Sequence, residues 1–170
     1  MRKFFPNAEK ELWPIRIKYK GNTYLTLYDG WDSDSILHDH SKILCFQSIQ
    51  DMKMFCERNG LRADDEIWEY DFDAPIENPI DYSNILHRWN LLNTIAKDFD
   101  MFFEGDSKKY NSLYDLLFRL NTPVEPLPPM YHICEKYYKY ILKVFKKKDR
   151  FLRRFELYGE KPSDTKEVAE

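Results

Sequence analysis

The sequence predicts an α+β fold: a small mixed or antiparallel sheet, built from an N-terminal hairpin and two further strands, packed with about four helices, the C-terminal half being all helical. Three observations carry this. Residues Trp13 to Tyr28 alternate around a Gly21-Asn22 step. Ile67 to Asp73 alternate again, with aromatic side chains on one side and acidic ones on the other. From Tyr82 onward the apolar residues recur at steps of three and four.

In WPIRIKYK, Ile15, Ile17 and Tyr19 interleave with Arg16, Lys18 and Lys20, and Tyr24 to Tyr28 resume the β-branched and aromatic bias. Two such runs around a glycine read as a hairpin, with Gly21 in the left-handed position of a primed turn. The loop DGWDSDSILHDHSK follows, rich in Asp and Ser. It lacks the glycine and closing glutamate of a calcium loop. His38 and His40, one residue apart, share a face if extended, but no further ligands accompany them, so a polar loop is expected and no metal. Ile43 to Phe46 form a short apolar run bounded by polar residues, a buried strand.

Ser48 caps the next segment, where Ile49, Met52, Phe55 and Cys56 fall at helical spacing, with Asp51 in the first turn and Asn59-Gly60 at the end. Strand, helix and the strand Ile67–Asp73 in that order suit a crossover between parallel neighbours. In that last strand Trp68, Tyr70 and Phe72 point to the core, and Glu69, Asp71 and Asp73 lie opposite. Like charges two residues apart on one strand face repel, and Asp is a poor strand former, so the row suits a surface awaiting a positive partner.

After Pro75 and Pro79 the chain turns helical. Ile85, Trp89, Leu92, Ala96 and Phe99 form one stripe, capped by Asp81 or Ser83, with Asn84, His87, Arg88, Asn90 and Lys97 away from it. Tyr110, Leu113, Tyr114, Leu117 and Leu120 form the next, entered at Asp106 or Ser107. TPVEPLPPM reads as an extended connector. From Tyr131 to about Tyr158 the longest helical pattern runs, with a break expected near Lys147 to Asp149, where Lys148 interrupts the apolar face. The expected organisation is one domain over residues 1–158 and a flexible polar tail over 159–170.

Net charge is only −3, but it is unevenly spread. Asp29 to Asp106 holds eighteen carboxylates against six Lys/Arg, whereas Met130 to Tyr158 carries a surplus of six positive charges. Such a field steers charged partners. Hydrophobic residues make up 43% of the chain, enough for a core without staples. Cys45, Cys56 and Cys134 lack metal or redox spacing and read as buried thiols. No run of about 18 apolar residues is present, and the N-terminus lacks a signal-peptide core, so a cytoplasmic protein without membrane contact is expected. Neither GxSxG, HExxH, CxxC nor a phosphate-cradling glycine loop occurs, so the expectation is a non-enzyme without cofactors.

The segments WPIRIKYKGNTYLTLYDGWDSDSILHDHSKILCFQSIQDMKMFC, WNLLNTIAKDFDMFFEGD and FRLNTPVEP resemble immunity proteins of bacterial contact-dependent growth inhibition (CDI) toxin–immunity systems, most of all those paired with RNA-cleaving toxins. The likeness runs from about Trp13 to Tyr158. It implies an inhibitor that binds the C-terminal toxin domain of a large exported effector, one to one, and occludes its active site. It transfers no catalytic residue and no contact residue. From the charge pattern alone, the expected toxin contacts are Asp29, Asp32, Asp34, Glu69, Asp71 and Asp73, with Trp31 as the aromatic anchor. The alternatives are an adaptor module using the same face, and a nucleic-acid binder using the basic helix from Lys136 to Arg154; direct nucleic-acid contact is not expected on the main reading.

Overall fold

The computed structural model of the chain describes residues 11–30, 34–77, 81–121 and 128–158, with the backbone alone over 128–136. The order of elements is β1 (Trp13–Tyr19), β2 (Asn22–Asp29), β3 (Ser35–Ile36), β4 (His38–Asp39), β5 (Lys42–Cys45), α1 (Ile49–Arg58), β6 (Trp68–Asp71), α2 (Tyr82–Asp98), a 3₁₀ turn (Glu104–Asp106), α3 (Lys108–Asn121), α4 (Pro128–Lys146), α5 (Asp149–Leu152) and β7 (Phe155–Leu157). The fold is α+β, a sheet region followed by a helical bundle. It forms two compact units, residues 1–17, 22–69 and 154–170 in one and 18–21 and 70–153 in the other.

The first unit contains most of the strands. β1 and β2 form the expected hairpin, but its turn is one residue earlier than the sequence suggested: Lys20 (φ 50°) and Gly21 (φ 76°) are the two left-handed residues, and Asn22 already belongs to β2. Two consecutive positive φ angles make a primed turn, whose twist matches that of the strands it joins. The strands form two sheets rather than one, ordered β3-β2-β1-β6 and β4-β5-β7. The expected crossover from β5 through α1 to a parallel β6 is therefore not made. The parallel partner of β5 is β7, with Ile43 opposite Phe155 and Cys45 opposite Leu157.

Strand β7 lies where the sequence pattern continued a helix. The ring of Phe155 stacks on Tyr24 at 4.0 Å, and Tyr158 meets Phe55 edge-on at 4.9 Å. The core of this unit gathers Leu12, Leu25, Leu27, Leu37, Leu44, Phe46, Met52, Phe55 and Cys56. Helix α1 begins as expected, Ser48 Oγ accepting the Asp51 amide at 3.1 Å, and ends with Gly60 at positive φ. Ile49, placed on its buried stripe by spacing, is exposed. In the core, Thr26 satisfies its hydroxyl by donating to the Leu44 carbonyl at 2.6 Å.

The second unit is organised around Trp89 on α2. Its ring meets Phe103 and Phe145 edge-on at 6.2 Å each and Tyr114 at 5.8 Å. Gly105 must be a glycine here, because a Cβ would fall 2.8 Å from the indole nitrogen of Trp89. Asp81 caps α2 by accepting the Asn84 amide at 3.1 Å. Arg88, read from the sequence as lying away from the apolar stripe, is only 5% exposed. It is held there by the Ala74 carbonyl at 3.0 Å and the Phe72 ring at 6.0 Å, contacts that helical spacing cannot show.

The proline-rich stretch is corrected in part. Pro128 and Pro129 are not extended but form the first turn of α4, where a missing N–H costs nothing; Pro123 and Pro126 lie outside the described residues. The expected break is found: α4 stops at Lys146, and α5 restarts at Asp149.

Candidate functional site

The predicted contact residues separate into three kinds. Asp29 ends β2 and is 1% exposed, so its carboxylate belongs to the interior and not to a docking surface. Asp71 and Asp73 serve the backbone. Asp71 Oδ1 accepts the amides of Asp73 (2.9 Å) and Ala74 (3.0 Å), bending the chain after β6. Asp73 reaches the hairpin turn, where its oxygens accept the amides of Lys20 (2.6 Å) and Gly21 (2.9 Å). These amides, with Lys18 and Lys148 nearby, hold the Asp73 carboxyl below the usual carboxylate range. The row of carboxylates is thus in part a fastening. Trp31 and Asp32 lie outside the described residues.

Asp34 and Glu69 remain at the surface. The side chain of Glu69 is 70% exposed and pairs with Arg16 at 3.0 Å. Asp34 sits at positive φ (47°) and accepts the Tyr28 hydroxyl at 3.4 Å. Between them runs a row of rings that periodicity did not reveal. Trp13 lies 5.9 Å from Tyr28 and 6.1 Å from Trp68, so the three rings span β2, β1 and β6. Gly30 closes over this row, its missing side chain leaving room for the Trp13 ring.

Trp68 was expected in the core, yet it is 39% exposed. It stands on β6, an outermost strand of the four-stranded sheet, at the end of the run Asp64, Asp65, Glu66. Asp65 and Glu66 are exposed and Asp64 is half-buried, spending one oxygen on the Glu66 amide at 3.2 Å. An exposed indole preceded in the chain by carboxylates that make no ion pair among the described residues suits an interface: such charges can draw a cationic surface in, and the indole can provide dry contact area. The sequence signal was present, since Trp68 directly precedes Glu69. Alternation alone assigned it inward.

The basic helix has its own feature in the second unit. Lys109, Lys139 and Lys143 place their ammonium groups 5.8, 5.1 and 5.6 Å from the Tyr140 ring centroid. A cleft of about 400 Å³ opens beside them between α3 and α4, lined among others by Tyr110, Arg119 and Tyr137.

His38 lies on β4 with Nδ1 2.7 Å from the Ile36 carbonyl, and exposed His40 faces Asp39 at 3.6 Å. Among the described residues no three His, Cys, Asp or Glu side chains are grouped to hold a metal ion, and no helix is long and apolar enough to cross a membrane.

No family model matches the chain, and no curated protein matches it. Among solved structures, the C-terminal domain of SatS, crystallised in complex with bromine, is similar at 16% identity and a TM-score of 0.52, over 86% of this chain and 93% of that one. A likeness at that identity speaks to the fold alone.

Proposed function

We infer that the protein is a non-enzymatic inhibitor that binds a partner protein, an immunity protein that neutralises a nuclease-type CDI toxin domain in the cytoplasm by covering its active site, one to one. The observation that supports this reading is the exposed Trp68 on an outermost strand, followed by Glu69 and preceded in the chain by exposed Asp65 and Glu66. A nuclease is basic where it grips phosphate, and such a surface finds both charge and an aromatic anchor here. The Arg16–Glu69 pair does not stand in the way. An ion pair this exposed contributes about 0–1 kcal/mol and is readily exchanged for a partner's cation.

The test is to express the C-terminal domain of the protein encoded immediately upstream, with and without this chain. Growth arrest relieved by co-expression, and a 1:1 complex on size exclusion, are expected. Absence of arrest, or arrest that this chain does not relieve, would sink the reading. An ordinary adaptor would form a complex without relieving any toxicity.

A second reading has its own support in the three ammonium groups around Tyr140. Cations beside an aromatic face suit the backbone and bases of single-stranded nucleic acid. Gel retention of labelled RNA that weakens with salt and is abolished by Lys139→Glu with Lys143→Glu would favour it; no retention at low salt would remove it.

A further inference from the structure

A second cavity in the helical unit, about 480 Å³, shares no lining residue with the Tyr140 cleft and has a different chemistry. Its cationic lining comes from Arg88, Lys143, Lys146 and Lys148, and among the described residues its one lining carboxylate is Asp73. Both oxygens of Asp73 already accept hairpin amides. Lys143 leans toward Tyr140, which leaves Arg88, Lys146 and Lys148 as the cations proper to this cavity.

Arg88 is more than nine-tenths buried, and one donor of its guanidinium is unmatched among the described residues. Nη1 donates to the Ala74 carbonyl at 3.0 Å, while Nε has no hydrogen-bond partner among the described residues. Leaving a buried charged donor unmatched costs more than a net hydrogen bond returns, so such a group persists where something compensates it. Burial lowers the pKa of Arg88, and Asp71 and Asp81, acting through space, only partly offset it. Neither supplies an acceptor to Nε. The Nε–Nη2 edge of a guanidinium presents two parallel donors, a match for two oxygens of a carboxylate or phosphate.

The other walls are apolar: Phe72, Pro75, Ile76, Leu142 and Phe145. Lys148 is fixed at the rim by donating to the Phe72 carbonyl at 2.6 Å. Three positive side chains around one cavity suit a group carrying close to two negative charges better than a single carboxylate. The volume is that of a small-molecule site.

We propose that this cavity binds a small phosphate monoester, its dianion held by Arg88, Lys146 and Lys148 and its organic body laid against Phe72 and Phe145. Because Nε is shielded from solvent, a small outward rotation of the guanidinium accompanies binding. The site shares no lining residue with the Trp68 surface.

The experiment titrates the full chain with phenyl phosphate, inorganic phosphate and benzoate at constant ionic strength, following the Nε–H resonance of Arg88 and the Tm. Phenyl phosphate is expected to shift that resonance saturably, to raise Tm, and to bind about tenfold more tightly than either of the other two. Lys146→Ala, a change at an exposed position, is expected to weaken phenyl phosphate about fivefold with the Tm of the free protein unchanged. Equal weak responses to all three anions, or a phenyl phosphate affinity indifferent to both Lys146→Ala and Lys148→Met, would overturn the proposal. Benzoate binding as tightly as phenyl phosphate would overturn it as well, since the dianion would then have no role.

Discussion

Asp73 holds the tip of a hairpin more than fifty residues before it in the chain, its carboxylate accepting the amides of Lys20 at 2.6 Å and Gly21 at 2.9 Å. Left-handed turn residues expose their N–H groups together, and a carboxylate placed opposite two of them forms charge-assisted bonds. Because its pKa lies below the ordinary value of 3.8, the stabilisation from Asp73 is present in full above that value and is lost as pH falls through the folded-state value. Asp73→Asn should lower Tm at pH 7 by an amount on the order of a few degrees. The gap between variant and parent should narrow in thermal melts carried below pH 3.8 toward the folded-state value. An equal gap at both pH values would mean that the carboxylate's charge plays no part in holding the turn.

Gly30 offers a different kind of check. A Cβ at this position would come within 2.8 Å of the Tyr28 ring and 2.9 Å of Trp13 Cη2, both rigid groups. Gly30→Ala must push the Trp13 ring aside and loosen the row that leads to Trp68. The expected cost is about 1–3 kcal/mol in urea denaturation, with a changed tryptophan signal in near-ultraviolet circular dichroism. An unaltered spectrum would show that the row does not depend on this close approach.

Much of the fold was legible in local text. The hairpin, the Ser48 and Asp81 caps, the break after Lys146 and the stripe through Trp89 rest on signals within one or two turns of chain. The misses arise from partners distant in sequence. Phe155 follows Phe151 at a helical step with no breaker before Gly159, yet it pairs with Ile43, more than a hundred residues earlier. Arg88 carries a charge and so reads as a surface residue, until the Ala74 carbonyl and Phe72 ring take it in. The site was half legible. Period-two alternation selected the acidic strand but could not distinguish carboxylates that fasten a turn, Asp71 and Asp73, from one left outside, Glu69.

The two described cysteines should be inert. Burial pushes Cys45 and Cys56 up to about 11 each, with Glu156 adding to the effect at Cys45. Cys45 Sγ also donates to the Glu156 carbonyl at 3.3 Å. Since the thiolate is the reactive species, iodoacetamide at pH 8 should label both far more slowly in the native protein than in urea, by about a hundredfold. Peptide mapping of the labelled sites reads this directly. Native labelling of Cys56 at the denatured rate would show that helix α1 opens readily.

The last prediction concerns the surface that the proposed function depends on. Trp68 and Glu69 are neighbours on β6, but they should affect different steps of binding to the upstream-encoded toxin domain. Losing the half-exposed indole removes contact area formed only in the docked complex, so Trp68→Ala should raise the dissociation rate and weaken affinity by about 2 kcal/mol or more. Glu69 is largely exposed and its pair with Arg16 is weak, so its role is to attract a cationic partner. Glu69→Lys, and separately Asp34→Lys, should slow association several-fold at low salt, and the difference should fade as ionic strength rises. Association kinetics across a salt series separate the two effects. If the Glu69→Lys chain associates at the parental rate at every salt concentration, the acidic surface has no steering role, and whatever binding remains must be assigned to the aromatic row alone.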